Sequence, residues 1–343
     1  MEKVCILGAG SWGTAQAVLL SRNCKQISLW AKPEEGLDAF MATGENKKYL
    51  PGVTIPENVS VTTDLNEAVE HSSVVVLAVP SQAIREILAK LKPILHKDMY
   101  IVNTAKGLEL NTGMRMSQVA EDVLGSAIKN RYAVLSGPSH AEEVAVELPT
   151  AVTVAAYKRE IAFDIQDTYM SSNFRVYTNP DVAGVELGGS LKNIVALSTG
   201  IAMGLGYGDN TQATIITRGL NEMIKIAGKM GADPRTLYGL SGLGDLVVTC
   251  GSKHSRNRQA GMLIGQGKTP EEALEETGMI VEGYYTTKVV HELARSLNVE
   301  MPIVKSCYYV LYEGRPPEEE VELLMTRRKK HEIEEIVENL QGW

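Results

Sequence analysis

Val4-Cys5-Ile6-Leu7-Gly8-Ala9-Gly10-Ser11-Trp12-Gly13-Thr14-Ala15, near the start of the chain, decides how the rest is read. Four apolar residues run into a glycine turn, and the turn runs into residues that suit a helix start. The spacing Gly8, Gly10, Gly13 is G-x-G-x-x-G: the first glycine permits the tight turn and the second lets backbone approach a pyrophosphate. The third lets helix pack close to strand. The helix beyond the loop offers unpaired N–H groups and the positive end of its dipole, so a phosphate bridge is held there without a cationic side chain. The stretch therefore predicts a dinucleotide-binding strand-turn-helix.

The chain has 343 residues, which suits about two domains. With 44% hydrophobic and 22% charged residues it reads as an ordinary globular protein. A net charge of −8 argues against a general nucleic-acid surface, so an anionic substrate needs a local cluster of cations. The cysteines Cys5, Cys24, Cys250 and Cys307 are far apart, and no C-x-x-C pair suggests zinc or a disulfide framework. No metal site is expected. A reducing cytoplasm fits best: the glycine loop leaves no room for a secretory leader, and no apolar run is long enough to span a membrane.

Gln26-Ile27-Ser28-Leu29-Trp30 reads as the second strand of the nucleotide unit. An NAD-selective site usually places Asp or Glu at the tip of that strand, whereas a cation accommodates a 2′-phosphate. Here the tip is Trp30-Ala31-Lys32, so NADP is expected to be accepted as well as NAD; the rival reading gives the ribose to Glu34 or Glu35. A polar stretch from Pro33 to Pro56 reads as an insertion over the nucleotide site.

Alternating strands and helices follow: strands at 59–62, 74–79, 100–104, 132–136, 151–155 and 175–178, with helices at 65–70, 82–91 and 161–170 between them. Ser81 is a plausible cap for the helix after Pro80, and Ser139 with Glu142 matches a capping box. Lys106 lies just past the carboxyl end of its strand, the edge where such sheets bind ligands. Beyond Asn179-Pro180-Asp181 the periodicity turns helical. The expected fold is α/β, a parallel doubly wound sheet over residues 1–180 followed by an all-helical domain over 181–343. The run Arg327-Arg328-Lys329-Lys330 reads as a solvated helix face.

The first helix of the second domain carries only two charges between Gly184 and Gly208, Glu186 and Lys192. A helix apolar on most of its circumference is buried, and burial lowers a lysine's pKa toward the range useful for proton transfer. Glu186 is six residues away on another face, so a carboxylate partner for Lys192 comes from elsewhere. The glycine-rich turn ending in Asp245 offers such a partner or a hydroxyl acceptor. Ser252-Lys253-His254-Ser255-Arg256-Asn257-Arg258 gathers cations and neutral donors suited to a phosphate; the plain alternative is a helix cap at Ser255 with surface arginines.

Taken together, Gly8 to Ala15, Ala105-Lys106-Gly107, Ser136 to Ser139, Gly184 to Asn193, Gly208 to Thr211, Thr217-Arg218-Gly219, Gly242 to Asp245, Ser255 to Arg258 and Val281-Glu282-Gly283 resemble the bacterial NAD(P)-dependent glycerol-3-phosphate dehydrogenases. The resemblance implies a Rossmann-type domain, a helical domain, and reversible reduction of dihydroxyacetone phosphate to sn-glycerol 3-phosphate for glycerophospholipid synthesis. It implies that Lys192 exchanges the proton and that Lys106, Gly137, Ser139, Asp245, Ser255, Arg256 and Asn257 contact the substrate. It assigns nucleotide contacts to Ser11, Trp12, Lys32, Tyr49, Lys106, Ala141, Arg256, Ile280 and Glu282. Two positions depart from the family pattern: His140 stands where a bulky aromatic is common, and Ala31-Lys32 replaces a His or Arg pair. A small phosphorylated substrate and a homodimer are the expected partners. A β-hydroxyacid dehydrogenase of the same architecture and a non-catalytic NADPH sensor are the rival readings.

Overall fold

The structure is a computed structural model that describes residues 1–33, 38–329 and 331–332; Glu34 and Glu35 lie outside them. Eight strands, β1 (Lys3–Leu7), β2 (Gln26–Trp30), β3 (Val59–Thr62), β4 (Val74–Leu77), β5 (Tyr100–Asn103), β6 (Tyr132–Ser136), β7 (Thr150–Ala156) and β8 (Phe174–Asn179), form one sheet. Its order is β3-β2-β1-β4-β5-β6-β7-β8. The register pairs Leu7 with both Trp30 and Leu77, and Leu77 with Asn103, so the strands that carry the nucleotide loop, Lys32 and Lys106 all end at one edge.

The first six strands are parallel, but β7 runs antiparallel to β6, with Ser136 opposite Thr153. This corrects the expectation of a fully parallel sheet. A parallel return needs a crossover long enough to carry the chain back along the sheet. The connection from 137 to 149 holds only a five-residue helix, so the chain comes back alongside in the opposite sense.

The helices packed around the sheet are α1 (Ser11–Leu20), α2 (Asp38–Thr43), α3 (Leu65–Val69), α4 (Ile84–Leu91), α5 (Met116–Leu124), α6 (Ala141–Ala145) and α7 (Arg159–Tyr169). Central strands are buried on both faces, as the near-continuous apolar runs require. Val4, Ile6, Leu29 and Val76 face one core, and Cys5, Leu7, Val75 and Ile101 face the other.

From Val182 the described chain is helical: α8 (Val182–Gly204), α9 (Asp209–Lys229), α10 (Asp245–Gly251), α11 (Arg256–Gly265), α12 (Pro270–Thr277), α13 (Glu282–Ser296), α14 (Pro302–Tyr312) and α15 (Pro317–Met325). α8 begins where Asp181 accepts from the Gly184 N–H at 2.9 Å. It is then buried almost throughout and forms the axis of the second core, where Leu187, Leu191 and Ile194 meet Ile226, Leu246 and Val290. α11 crosses α8 with the backbones nearly touching, since a Cβ on Gly200 would lie 2.2 Å from the Arg258 carbonyl oxygen. That crossing brings the start of α11 beside the middle of α8.

Three local expectations are not met. Ser81 does not cap its helix; its hydroxyl binds a carboxylate of α13. Ser139 and Glu142 form no capping box, because Ser139 Oγ donates to the Gly137 carbonyl at 3.0 Å. Arg327, Arg328 and Lys329 lie beyond the end of α15, with Arg327 paired to Glu300, while Lys330 lies outside the described residues. Among the described residues no helix is long and apolar enough to cross a membrane.

Candidate active site

The turn after β1 is shaped by sterics that only glycine meets. A Cβ on Gly13 would sit 1.8 Å from the Gly8 carbonyl oxygen, so α1 packs directly on the turn. At Gly10 nothing lies within 4 Å of that position, which leaves the N-terminus of α1 open. Gly10 is the N-cap, no side chain caps the helix, and no acidic residue stands in its first turn. Free N–H groups, an unopposed helix dipole and open space are what a pyrophosphate requires, so the residues present fit a dinucleotide.

The segment after Lys32 is tied to this loop. Asn46 is buried, and its Nδ2 donates to the Ala9 carbonyl at 2.7 Å and to Thr14 Oγ1 at 2.8 Å. Leu50 and Val53 pack with Trp12, Ala15 and Ala141, so the polar insertion does lie against the nucleotide turn. Lys32 stands past the tip of β2 with a partly exposed ammonium 3.9 Å from Glu86. Tyr49 lies under the Lys48 ammonium, 4.9 Å from its ring centroid.

Lys192 sits in the middle of α8 and is only 6% exposed. Its ammonium donates to Asp245 Oδ1 and, at 2.6 Å, to Thr249 Oγ1 one helical turn further along α10. The other carboxylate oxygen, Oδ2, accepts from Lys106 at 2.6 Å, and Lys106 also donates to the Gly137 carbonyl at 3.0 Å. Burial drives the Lys192 pKa down to about 8 despite the attraction of Asp245. Burial pushes the Asp245 carboxyl the other way, but the ammonium groups of Lys106 and Lys192 outweigh it and hold the group below the usual range. One carboxylate thus serves two ammonium groups where sheet edge and helical domain meet. Such a lysine can exchange a proton near neutral pH.

Asp245 is delivered by an unusual turn: the glycine-rich stretch is a π-helical segment, Leu240–Gly244, running straight into α10. It packs against α8 where a Cβ on Gly188 would lie 2.6 Å from the Ser241 carbonyl oxygen. Glu186 is committed elsewhere, to Arg115, Ser117 and Tyr132.

The basic loop meets the same site through amides. Asn193 Nδ2 donates to the Lys106 carbonyl at 3.1 Å, and its Oδ1 accepts from Asn257 at 3.0 Å. Asn257 Oδ1 in turn accepts from the Gly283 N–H at 2.8 Å. Ser255 caps α11, accepting from the Arg258 N–H at 3.3 Å, so the plain reading of that serine is realised. Arg256 reaches back to the Ile280 carbonyl at 3.4 Å. Glu282 joins the two halves of the chain: its oxygens accept from the Ser81 N–H at 2.8 Å and the Ser81 hydroxyl at 2.6 Å. Burial raises its pKa.

Lys106, Gly137, Ser139, Lys192, Asp245 and Asn257 are therefore brought into one connected network. Lys32, beside Glu86, and Tyr49, beside Lys48, stand outside that network, while the Ile280 carbonyl accepts from Arg256. Sequence reasoning missed Asn46, Ser81 and Thr249. Thr249 had a signal, four residues after Asp245 and so on the same helix face.

A model of the NAD-dependent glycerol-3-phosphate dehydrogenase N-terminus matches residues 3–162, and one of the C-terminus of the same family matches residues 181–322. The glycerol-3-phosphate dehydrogenase [NAD(P)+] of Syntrophomonas wolfei is 60% identical over 343 residues, covering 100% of both chains. That of Bacillus subtilis is 47% identical over 342 residues, covering 100% of this chain and 99% of its own. The crystal structure of glycerol-3-phosphate dehydrogenase from Coxiella burnetii superposes with a TM-score of 0.91 at 39% identity, over 95% of this chain and 99% of that one. The chain belongs to the NAD-dependent glycerol-3-phosphate dehydrogenase family.

Proposed function

We propose that the chain reversibly reduces dihydroxyacetone phosphate to sn-glycerol 3-phosphate with NADH or NADPH, and so supplies the backbone of glycerophospholipids. The observation that carries this is the buried Lys192, held by Asp245 and Thr249 beside the basic loop and one sheet edge from the nucleotide turn. When bound, the nicotinamide supplies a hydride to the substrate carbonyl carbon or takes it back.

The chain's own residues do the rest. The open N-terminus of α1 and the glycine turn hold the pyrophosphate, with Ser11, Trp12, Tyr49, Ala141, Ile280 and Glu282 around the nucleotide. Lys32 faces the ribose. Lys192, as ammonium, donates its proton to the carbonyl oxygen as charge develops there, and in the reverse direction its amine takes the proton from the alcohol. Asp245 fixes the Lys192 ammonium. Lys106, Gly137, Ser139, Ser255, Arg256 and Asn257 orient the phosphate and hydroxyl oxygens, so that a three-carbon substrate is held in one pose. Lys106, Ser139, Lys192, Ser255, Arg256 and Asn257 are each held by a hydrogen bond within the protein, which keeps reorganisation small.

In this reading the boundary between nucleotide domain and substrate domain falls near residue 180, at the Asp181 cap of α8. The enzyme works in the cytoplasm, where its four buried thiols stay reduced, and assembles as a homodimer; light scattering after gel filtration reads that state. The test of activity is loss of reduced-nicotinamide absorbance with dihydroxyacetone phosphate, dihydroxyacetone and a 3-oxo acid in parallel. Turnover of the first alone supports the reading. Turnover of the 3-oxo acid favours a hydroxyacid dehydrogenase, and binding of NADPH without any turnover favours a sensor.

A further inference from the structure

His140 carries a buried polar atom that the protein leaves without a partner. Its Nε2 is shielded from solvent and makes no hydrogen bond, one of three such side-chain atoms among the described residues. Buried polar groups in native proteins are nearly always satisfied, so an orphan beside a site is an opening for a ligand atom. The imidazole stands between the halves of the site. It follows Ser139 in the loop whose Gly137 carbonyl holds Lys106, and that loop's Pro138 reaches the Gly244 position, 3.7 Å away, just before Asp245. On the other side its ring centroid lies 5.9 Å from that of His254, the residue before Ser255 in the basic loop.

Resting on the function proposed above, we infer that His140 is a substrate-contacting specificity residue, its Nε2–H donating to an oxygen at the phosphate end of the substrate. The placement fits that role. Lys192, Thr249 and Asp245 already bond to one another at the reacting end, whereas His140 faces the loop that carries Ser255, Arg256 and Asn257. Burial, and next the positive charge of Lys192, lower the imidazole's pKa, so the ring is neutral at working pH and offers a hydrogen bond without a second net charge. A neutral donor adds shape discrimination to the charges of Lys106 and Arg256: it rewards an oxygen at one point, and its own desolvation goes uncompensated when that oxygen is missing.

Two substitutions test this. His140→Phe keeps a ring of similar size and removes the donor; His140→Gln places an amide N–H near the position of Nε2. For His140→Phe the KM for dihydroxyacetone phosphate is expected to rise about five- to tenfold, with kcat within about threefold of the wild type. His140→Gln recovers most of the loss, and the Kd for NADPH and the melting temperature of both variants stay at wild-type values. Weak inhibition by inorganic phosphate, competitive with substrate, should fade in His140→Phe by a similar factor. Wild-type KM in His140→Phe overturns the inference, as does a loss in both variants that accompanies a fall in melting temperature or in NADPH affinity. Each comparison is made against the wild-type enzyme, so absence of any turnover in the wild type would reject the proposed function and not this contact.

Discussion

Asp245 and Lys192 are bonded inside the protein, and the same carboxylate gives its second oxygen to Lys106 at 2.6 Å. The arrangement sets a proton inventory for the site: two ammonium groups, one carboxylate, and burial that disfavours every charge. Breaking a buried pair by removing one partner leaves an uncompensated charge, which is more damaging than losing the pair whole. Asp245 is therefore the residue on which both lysines depend.

Replacing Asp245 with Asn removes the attraction that sustains the Lys192 ammonium. The lysine pKa falls further below about 8, and the pH at which reduction of dihydroxyacetone phosphate begins to fail moves down with it. Sign and direction follow from the lysine: reduction needs the ammonium and declines as pH rises through its pKa, whereas oxidation of glycerol 3-phosphate needs the amine and increases. Profiles of kcat/KM against pH in both directions, for wild type and Asp245→Asn, check this; the variant should also be roughly a hundredfold slower at neutral pH. An unmoved profile would remove Asp245 from the account.

Lys32 is the only cation at the tip of β2 in the described chain. Lys32→Ala is expected to raise KM for NADPH about tenfold while leaving KM for NADH nearly unchanged, in keeping with the loss of one charge-assisted contact to a 2′-phosphate. Steady-state kinetics with the two cofactors at low ionic strength measure it, and equal changes for both would disconnect Lys32 from the phosphate.

Asn46 holds the segment over the nucleotide turn by two buried hydrogen bonds. Asn46→Ala leaves the Ala9 carbonyl and the Thr14 hydroxyl without that donor and should cost about 2 kcal/mol of stability. The Kd for NADPH should weaken by about tenfold as the segment loosens. Denaturant unfolding and cofactor titration read the two effects.

Far from the site, Glu222 accepts from the Ile303 and Val304 N–H groups in the helical core, and burial pushes its pKa up to about 8. A carboxyl whose folded pKa is above its unfolded one stabilises the fold most when protonated. Stability is then lost as pH rises from about 4.5 toward 8. Glu222→Gln lacks that dependence. Its melting temperature relative to wild type should improve from about pH 4.5 to about pH 8 and level off above that, and a constant difference across the range would refute the titration.

Particular residues show how much could be read in advance. Gly8, Gly10 and Gly13 announced the nucleotide turn because their constraint is local and steric. Lys192 stood out because a lone cation on an apolar helix has few explanations. Strand alternation gave the elements but not the direction of β7, since direction depends on how far a connection can travel and not on the pattern of the strand itself. Ser81 and Ser139 misled because a hydroxyl that suits a helix cap suits another acceptor equally well, a distant carboxylate for Ser81 and a carbonyl two residues back for Ser139. Asn46 carried no signal at all: its partners are a backbone carbonyl and a threonine more than thirty residues back.

The central claim is that Lys192 delivers the proton. The most direct measurement is the single-turnover rate of NADPH oxidation with saturating dihydroxyacetone phosphate in Lys192→Ala, beside a cofactor titration of the same protein. The account predicts a loss of roughly 10³- to 10⁴-fold in rate with NADPH affinity unchanged. A variant that binds NADPH normally and still turns over within tenfold of wild type would contradict it.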